Sequence, residues 1–233
     1  MTVKGNRGPV HEPAWQEAVE ALRPYVVKIG TPDHDGTGFL FAFAGGGAIC
    51  GIATAAHALA HAHAWEQPIR LEHTASGTVR LLHPNERGIV IDEANDTAAL
   101  VVLRDDLPLP TTLLPTTPEG TTFRVGVEIG WVGYPAVARD QLCFFSGRIS
   151  AWLEAKGAYL VDGVGISGVS GGPAFRVEET SAPVLLGVMS AYIPNKAAGS
   201  PLPGLSLVQH IGHLEKVVRN LQSLESDITR KRS

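Results

Sequence analysis

Cysteine is nearly absent from this chain: Cys50 and Cys143 are the only two in 233 residues. So few thiols exclude a small scaffold stapled by disulfides. Both sit in apolar, strand-like runs, where a cysteine packs as a small hydrophobe. A bridge between them would need a defined Cα separation, and free thiols in a reducing compartment are the expectation. Charge of one sign is also missing. Nineteen Lys and Arg against 23 Asp and Glu leave a formal net charge of −4, and the pI is about 6.1. Nothing here suggests a nucleic-acid or anionic-membrane partner. No apolar run approaches the roughly 18 residues that a membrane helix requires. The opening stretch, Met1 to Pro13, is polar and holds glycine and proline without an apolar segment, so no secretory leader is expected and a cytoplasmic location is.

Hydrophobic residues are plentiful, at 44% of the chain. That is enough to bury a core in one domain or in two tightly joined halves. His11 to Leu22 reads as a short amphipathic helix with Trp15, Val19 and Leu22 on one face, ended by Pro24. Strands follow at Tyr25–Gly30, Gly38–Ala44, Ala48–Thr54, Ile69–Leu71, Gly77–Leu82, Gly88–Asp92 and Ala98–Leu103. Pro108 to Pro118, rich in proline and threonine, reads as a linker. The second half offers strands at Val125–Trp131, Gln141–Trp152, Ala158–Val161, Pro173–Val177, Val184–Ala191 and Leu205–Val208. Short strands punctuated by glycine and proline predict an all-β barrel or sandwich protein. Ile211, Leu214, Val218 and Leu221 then predict a closing helix from Gln209 to Ser223.

Three segments carry chemistry. Gly168-Val169-Ser170-Gly171-Gly172-Pro173 can expose one serine at a tight turn, because glycine permits positive φ and close approach of a substrate. Its backbone N–H groups are then free to face a developing oxyanion. By itself such a turn is equally a plain loop. Thr54-Ala55-Ala56-His57 ends an apolar strand on a histidine suited to general-base work, although a core histidine is the common alternative. Asp96-Thr97-Ala98-Ala99-Leu100-Val101-Val102-Leu103 opens an apolar strand on an aspartate, which is equally a turn cap. Asp92 and Glu93 are competing acids, but neither leads that strand directly. His, Asp and Ser in this chain order match one known arrangement of a nucleophilic triad and differ from two others. His61 and His63 lie close to His57, yet no thiolate or carboxylate set accompanies them. A solvated helix face explains them better than a metal, and no cofactor is called for.

These motifs resemble the trypsin/chymotrypsin family of serine proteases, over roughly Tyr25 to Val208. Gly36-Thr37-Gly38-Phe39 resembles an early strand of that family. Gly133-Tyr134-Pro135 and Ser146-Gly147-Arg148-Ile149-Ser150 resemble most the bacterial high-temperature-requirement branch. The resemblance implies two six-stranded antiparallel barrels, the first (25–107) carrying His57 and Asp96 and the second (119–208) carrying Ser170. An arm and helix (1–24), a linker (108–118) and a helix with tail (209–233) complete the expected organisation. It also implies an oxyanion hole at the N–H groups of Gly168 and Ser170, and a substrate wall at Met189, Ser190 and Tyr192. Val164 falls, by counting from Ser170, at the floor of the specificity pocket, with Asp162 two residues farther away. An apolar side chain before the scissile bond is expected, or a basic one if Asp162 reaches the pocket. Val169 stands where digestive members carry an acid that pairs with a new amino terminus, so the loop must be ordered by an activating partner protein or by its own packing. The implied activity is endopeptidase action on a protein or peptide substrate, as a dedicated processing enzyme of a stress or defence system. A catalytically silent peptide-binding module of the same fold is the alternative.

Overall fold

A computed structural model describes residues 12–105, 107–178, 182–192, 204–215 and 218–219. The chain opens with helix α1 (Glu12–Leu22), in which Trp15, Ala18, Val19 and Leu22 fall at helical spacing. Trp15, Ala18 and Leu22 are buried. Strands β1 (Val26–Gly30), β2 (Asp35–Ala44) and β3 (Ile49–Thr54) follow, then helix α2 (Ala56–Ala64). Strands β4 (Ile69–His73), β5 (Thr78–Leu82), β6 (Arg87–Asp92) and β7 (Thr97–Leu103) complete the first half. The second half holds β8 (Glu128–Gly133), β9 (Cys143–Leu153), β10 (Ala158–Asp162), β11 (Pro173–Val177), β12 (Pro183–Tyr192) and β13 (Leu205–His210). Every strand expected from the sequence is present. The main shift lies at residues 125–127, where Gly126 takes φ +88° in a turn and delays the strand to Glu128.

The two halves differ in closure. The second closes into an antiparallel barrel in the order β10-β13-β12-β11-β8-β9. The first is a curled seven-stranded sheet in the order β5-β4-β1-β2-β3-β7-β6, open between β5 and β6, where a six-stranded barrel was expected. Arginines bridge this seam in place of a ladder. Arg80 on β5 donates to Leu103 O at 2.7 Å, and Arg87 donates to Leu82 O at 2.9 Å and Gln67 O at 2.6 Å. A guanidinium offers five donors, so these two arginines satisfy carbonyls of β5, of the end of β7 and of the turn before β4 around the seam.

Each half has its own apolar core. Val27, Ile29, Leu40, Ile52, Leu71 and Leu100 fill the first, while Ile129, Trp131, Tyr159, Val161, Met189 and Val208 fill the second. A third cluster joins the halves, and Trp15, Leu22 and Leu214 cap it over Phe39, Val132 and Phe175. Of the closing helix, residues 211–215 are helical, starting after β13 rather than at Gln209, and the stretch beyond 219 lies outside the described residues. Cys50 and Cys143 are both free, and burial on β3 pushes the Cys50 thiol up to about 11. No helix among the described residues is long and apolar enough to cross a membrane.

Candidate active site

β3 runs buried to Thr54, and α2 begins two residues later. Ala55 takes the N-cap position with an extended backbone and gives no side-chain cap. The first N–H groups of a helix lack partners within it. Here the carboxylate of Asp96 supplies one from a turn far along the chain: His57 N–H donates to Asp96 Oδ1 at 3.0 Å. The same carboxylate holds the ring, with His57 Nδ1 at 3.0 Å from Oδ1 and 2.9 Å from Oδ2. An ionised carboxylate only accepts, so a ring proton sits on Nδ1, and in the neutral ring the lone pair is then on Nε2.

Asp96 reaches this position from the turn between β6 and β7. Its φ of +47° is left-handed, a region that aspartate tolerates better than most residues. Asp92 builds the turn. Its Oδ1 accepts Asn95 N–H at 3.2 Å and its Oδ2 accepts the Asn95 amide at 2.6 Å. The competing acid is thus a turn former. Burial pushes the Asp96 carboxyl up, but hydrogen bonds from His57 and Ser190, together with the imidazole charge, outweigh it and hold the group below the ordinary carboxylate value.

Ser170 lies in the loop between β10 and β11. Gly168 takes φ +92°, and a Cβ there would stand 2.2 Å from Tyr134 O. Only glycine fits. Two hydrogen bonds aim the neighbouring peptides. Ala136 N–H donates to Ser167 O at 2.8 Å, and Gly172 N–H donates to Val169 O at 3.0 Å. In a trans peptide the N–H points opposite the C=O. The N–H groups of Gly168 and Ser170 therefore turn away from these contacts, and neither donates to another described residue. Val169 is fully buried in the core of the second barrel.

His57, Ser170, Gly168, Met189 and Ser190 line one cleft of about 330 Å³. His34, Asp35, Gly165, Ile166 and Ser167 complete its lining. Beyond the Pro173↔Val188 pair β11 leaves β12, and among the described residues no strand pairs with that edge of β12 past Met189. The other expected pocket residues are placed differently. Val164 is 41% exposed and does not line the cleft; its carbonyl accepts Trp131 Nε1–H at 3.1 Å. Asp162 is an exposed residue of β10, paired with Arg148 and Leu205 on the two neighbouring strands, and does not line the cleft either. The main chain of Tyr192 ends β12, paired with Ser206, while its side chain lies outside the described residues. Ser190 faces the cleft, but its hydroxyl is spent on Asp96 Oδ2. Sequence reasoning missed that contact, along with Ile166, His34 and Asp35. Nothing in a lone serine within an apolar strand announces it. His61 lies on α2, with Nε2 3.0 Å from Asp33.

No protein-family model matches the sequence, and no curated protein matches it at a significant level. Solved structures do. The chain is similar to Rv3671c from M. tuberculosis H37Rv, a serine-to-alanine mutant in an inactive form, with TM-score 0.63, 19% identity, and 95% of this chain and 98% of that chain covered. It is similar to a serine endoprotease from Yersinia pestis, with TM-score 0.66, 18% identity, and 92% and 68% covered. A further inactive form of the Rv3671c protease gives TM-score 0.60 at 20% identity, with 90% and 95% covered. The chain has the trypsin/chymotrypsin-like fold of these serine proteases.

Proposed function

We propose that this chain is a serine endopeptidase in which Ser170 is the nucleophile, His57 the general base and Asp96 the orienting carboxylate. Ser170 shares its cleft with a His57 ring whose Nδ1 is held by Asp96, and that joint placement supports the reading. In the proposed reaction, Ser170 Oγ attacks the scissile carbonyl as its proton passes to His57 Nε2. The carbonyl oxygen becomes an oxyanion stabilised by the N–H groups of Gly168 and Ser170. Collapse expels the amine, which takes the proton from His57. Water then attacks the acyl-enzyme by the same route. Asp96 stays ionised throughout and stabilises the imidazolium.

Extended peptide would pair with the β12 edge from Ser190 onward, in the manner of strand addition. Ile166 and Met189 make the wall beside Gly168 apolar, which favours a small or medium apolar residue before the cut. A dedicated intracellular processing role is the proposed setting. The test is hydrolysis of a quenched peptide library by the wild type and by Ser170→Ala. Cleavage by the first and a loss of roughly 10⁴-fold or more in the second is the expected result.

A second reading has one observation in its favour. The hydrogen bonds of the His57 ring run to Asp96, and none joins it to Ser170 Oγ. A silent module that binds extended peptides needs no such bond. Peptide binding without turnover in the same assay would select it.

A further inference from the structure

We propose that Thr37 is the positioning residue of the oxyanion hole, fixing the Gly168–Ser170 loop from within this chain so that neither a new amino terminus nor a partner protein is needed to order it. This rests on the protease reading above.

Thr37 stands on β2 in the first half, fully buried; its hydroxyl and its N–H are committed across the junction of the two halves, and its carbonyl to β3. Its hydroxyl donates to Gly168 O at 2.7 Å and accepts Tyr134 N–H at 3.0 Å. Its N–H donates to Ser170 O at 2.9 Å. Its carbonyl accepts the Thr54 hydroxyl at 2.7 Å, and Thr54 ends the strand that leads to His57. One residue therefore ties the strand of the proposed base, through its carbonyl, to the loop of the proposed nucleophile, through its hydroxyl and N–H.

The loop needs such a tie. A glycine at φ +92° has no Cβ to bias its backbone, so the peptide after Gly168 is free to rotate unless its carbonyl is held. Thr37 holds that carbonyl, and Ala136 N–H holds the carbonyl of the peptide before it. With both flanking peptides fixed, the direction of Gly168 N–H is fixed too. Val169 adds an apolar anchor: it is fully buried, and its Cα and Cγ1 lie 2.9 and 3.1 Å from where a Cβ on Gly133 would stand. A buried neutral hydroxyl thus does what an ion pair would do elsewhere, with no charge to titrate or to be released by cleavage.

The experiment compares Thr37→Val, which keeps the shape and removes the hydroxyl, with Thr37→Ser, which restores it. Measured are kcat and KM on a cleaved peptide, inhibition by a matching peptide boronate, and affinity for the intact peptide in a Ser170→Ala background. Thr37→Val is expected to lower kcat and boronate affinity by roughly 10²–10³-fold, the scale of losing one oxyanion donor. KM and intact-peptide affinity should stay within about threefold, since ground-state binding does not use the hole. Thr37→Ser should return kcat to within about fivefold of wild type. If Thr37→Val does not fold, Thr37→Cys, of similar volume and with a weaker donor, should lose about tenfold in kcat by the same split. A folded Thr37→Val or Thr37→Cys with wild-type kcat overturns the inference. Equal losses of peptide and boronate affinity overturn it as well. A wild type inert toward both peptide and boronate would overturn the protease reading, and this inference with it.

Discussion

Ser190 and Asp96 meet across the two halves of the molecule, the Ser190 hydroxyl donating to Asp96 Oδ2. One carboxylate therefore receives the His57 ring, the His57 backbone N–H and a hydroxyl from the second barrel. The arrangement seats the His57 ring and couples the halves.

Removing that hydroxyl should be felt at Asp96 rather than at substrate. Ser190→Ala deletes a bond that stabilises the charged carboxylate, so the Asp96 pKa should rise. NMR titration of the Asp96 carboxyl carbon checks the direction, and kcat/KM should fall by about tenfold with little change in KM. An unchanged titration with raised KM would return Ser190 to the substrate wall.

Stability should depend on Asp96 in acid. Its folded pKa lies below the ordinary value, so the unfolded chain binds the proton more readily. The stabilisation it gives is complete above about pH 4 and is lost as pH falls through the lower folded value. Asp96→Asn should consequently flatten this part of the stability curve. Urea unfolding of both proteins between about pH 2 and 6 is the measurement, and parallel curves would contradict the account.

The serine loop tolerates no side chain at its turning points. Gly171 takes φ +87°, and a Cβ there would stand 2.1 Å from both Thr37 O and Thr54 Oγ1. Gly171→Ala and Gly168→Ala should each destabilise by about 2 kcal/mol or more through strain at positive φ and the forced clash. Thermal unfolding reads the first effect. Turnover by the folded fraction should drop by roughly 10²-fold or more.

Much of the candidate site was legible because the proposed chemistry demands particular letters. The glycines around Ser170, the small residues before His57 and the apolar strand after Asp96 are each imposed by local geometry, and their order in the chain is visible. The strands were legible through their alternation and their glycine and proline boundaries. What stayed hidden depends on residues far apart in sequence. Thr37 is one small polar residue between glycines, and three of its four bonds exist only when β2 meets the loops of the second half. Ser190 lies on an apolar strand and shows its role only beside a turn 94 residues earlier. Counting back from Ser170 to Val164 assumes a fixed loop path. Here the chain turns at Gly163 to pass Trp131, which carries Val164 outward. The open seam of the first sheet was equally invisible, since Arg80 and Arg87 read as ordinary surface charges.

The pocket should be apolar at Ile166 and Met189, the one carboxylate that lines the cleft among the described residues, Asp35, being paired with Arg139 at 3.4 Å. With Val164 and Asp162 outside the cleft and Ile166 and Met189 lining it, an unpaired lysine or arginine would enter at a cost of several kcal/mol. Library profiling should favour Ala, Val or Leu before the cut, and Ile166→Gly should broaden acceptance to larger side chains. A strong preference for a basic residue would contradict this placement.

Labelling with a fluorophosphonate tests the central claim most directly, because only a serine activated by its surroundings reacts at a useful rate. The wild type should take up one equivalent, and mass spectrometry of the digest should place it on Ser170. Ser170→Ala should take up none, and His57→Ala should react slower by orders of magnitude. No labelling of the folded wild type, or a label on any other residue, would contradict the assignment of Ser170 as an activated nucleophile.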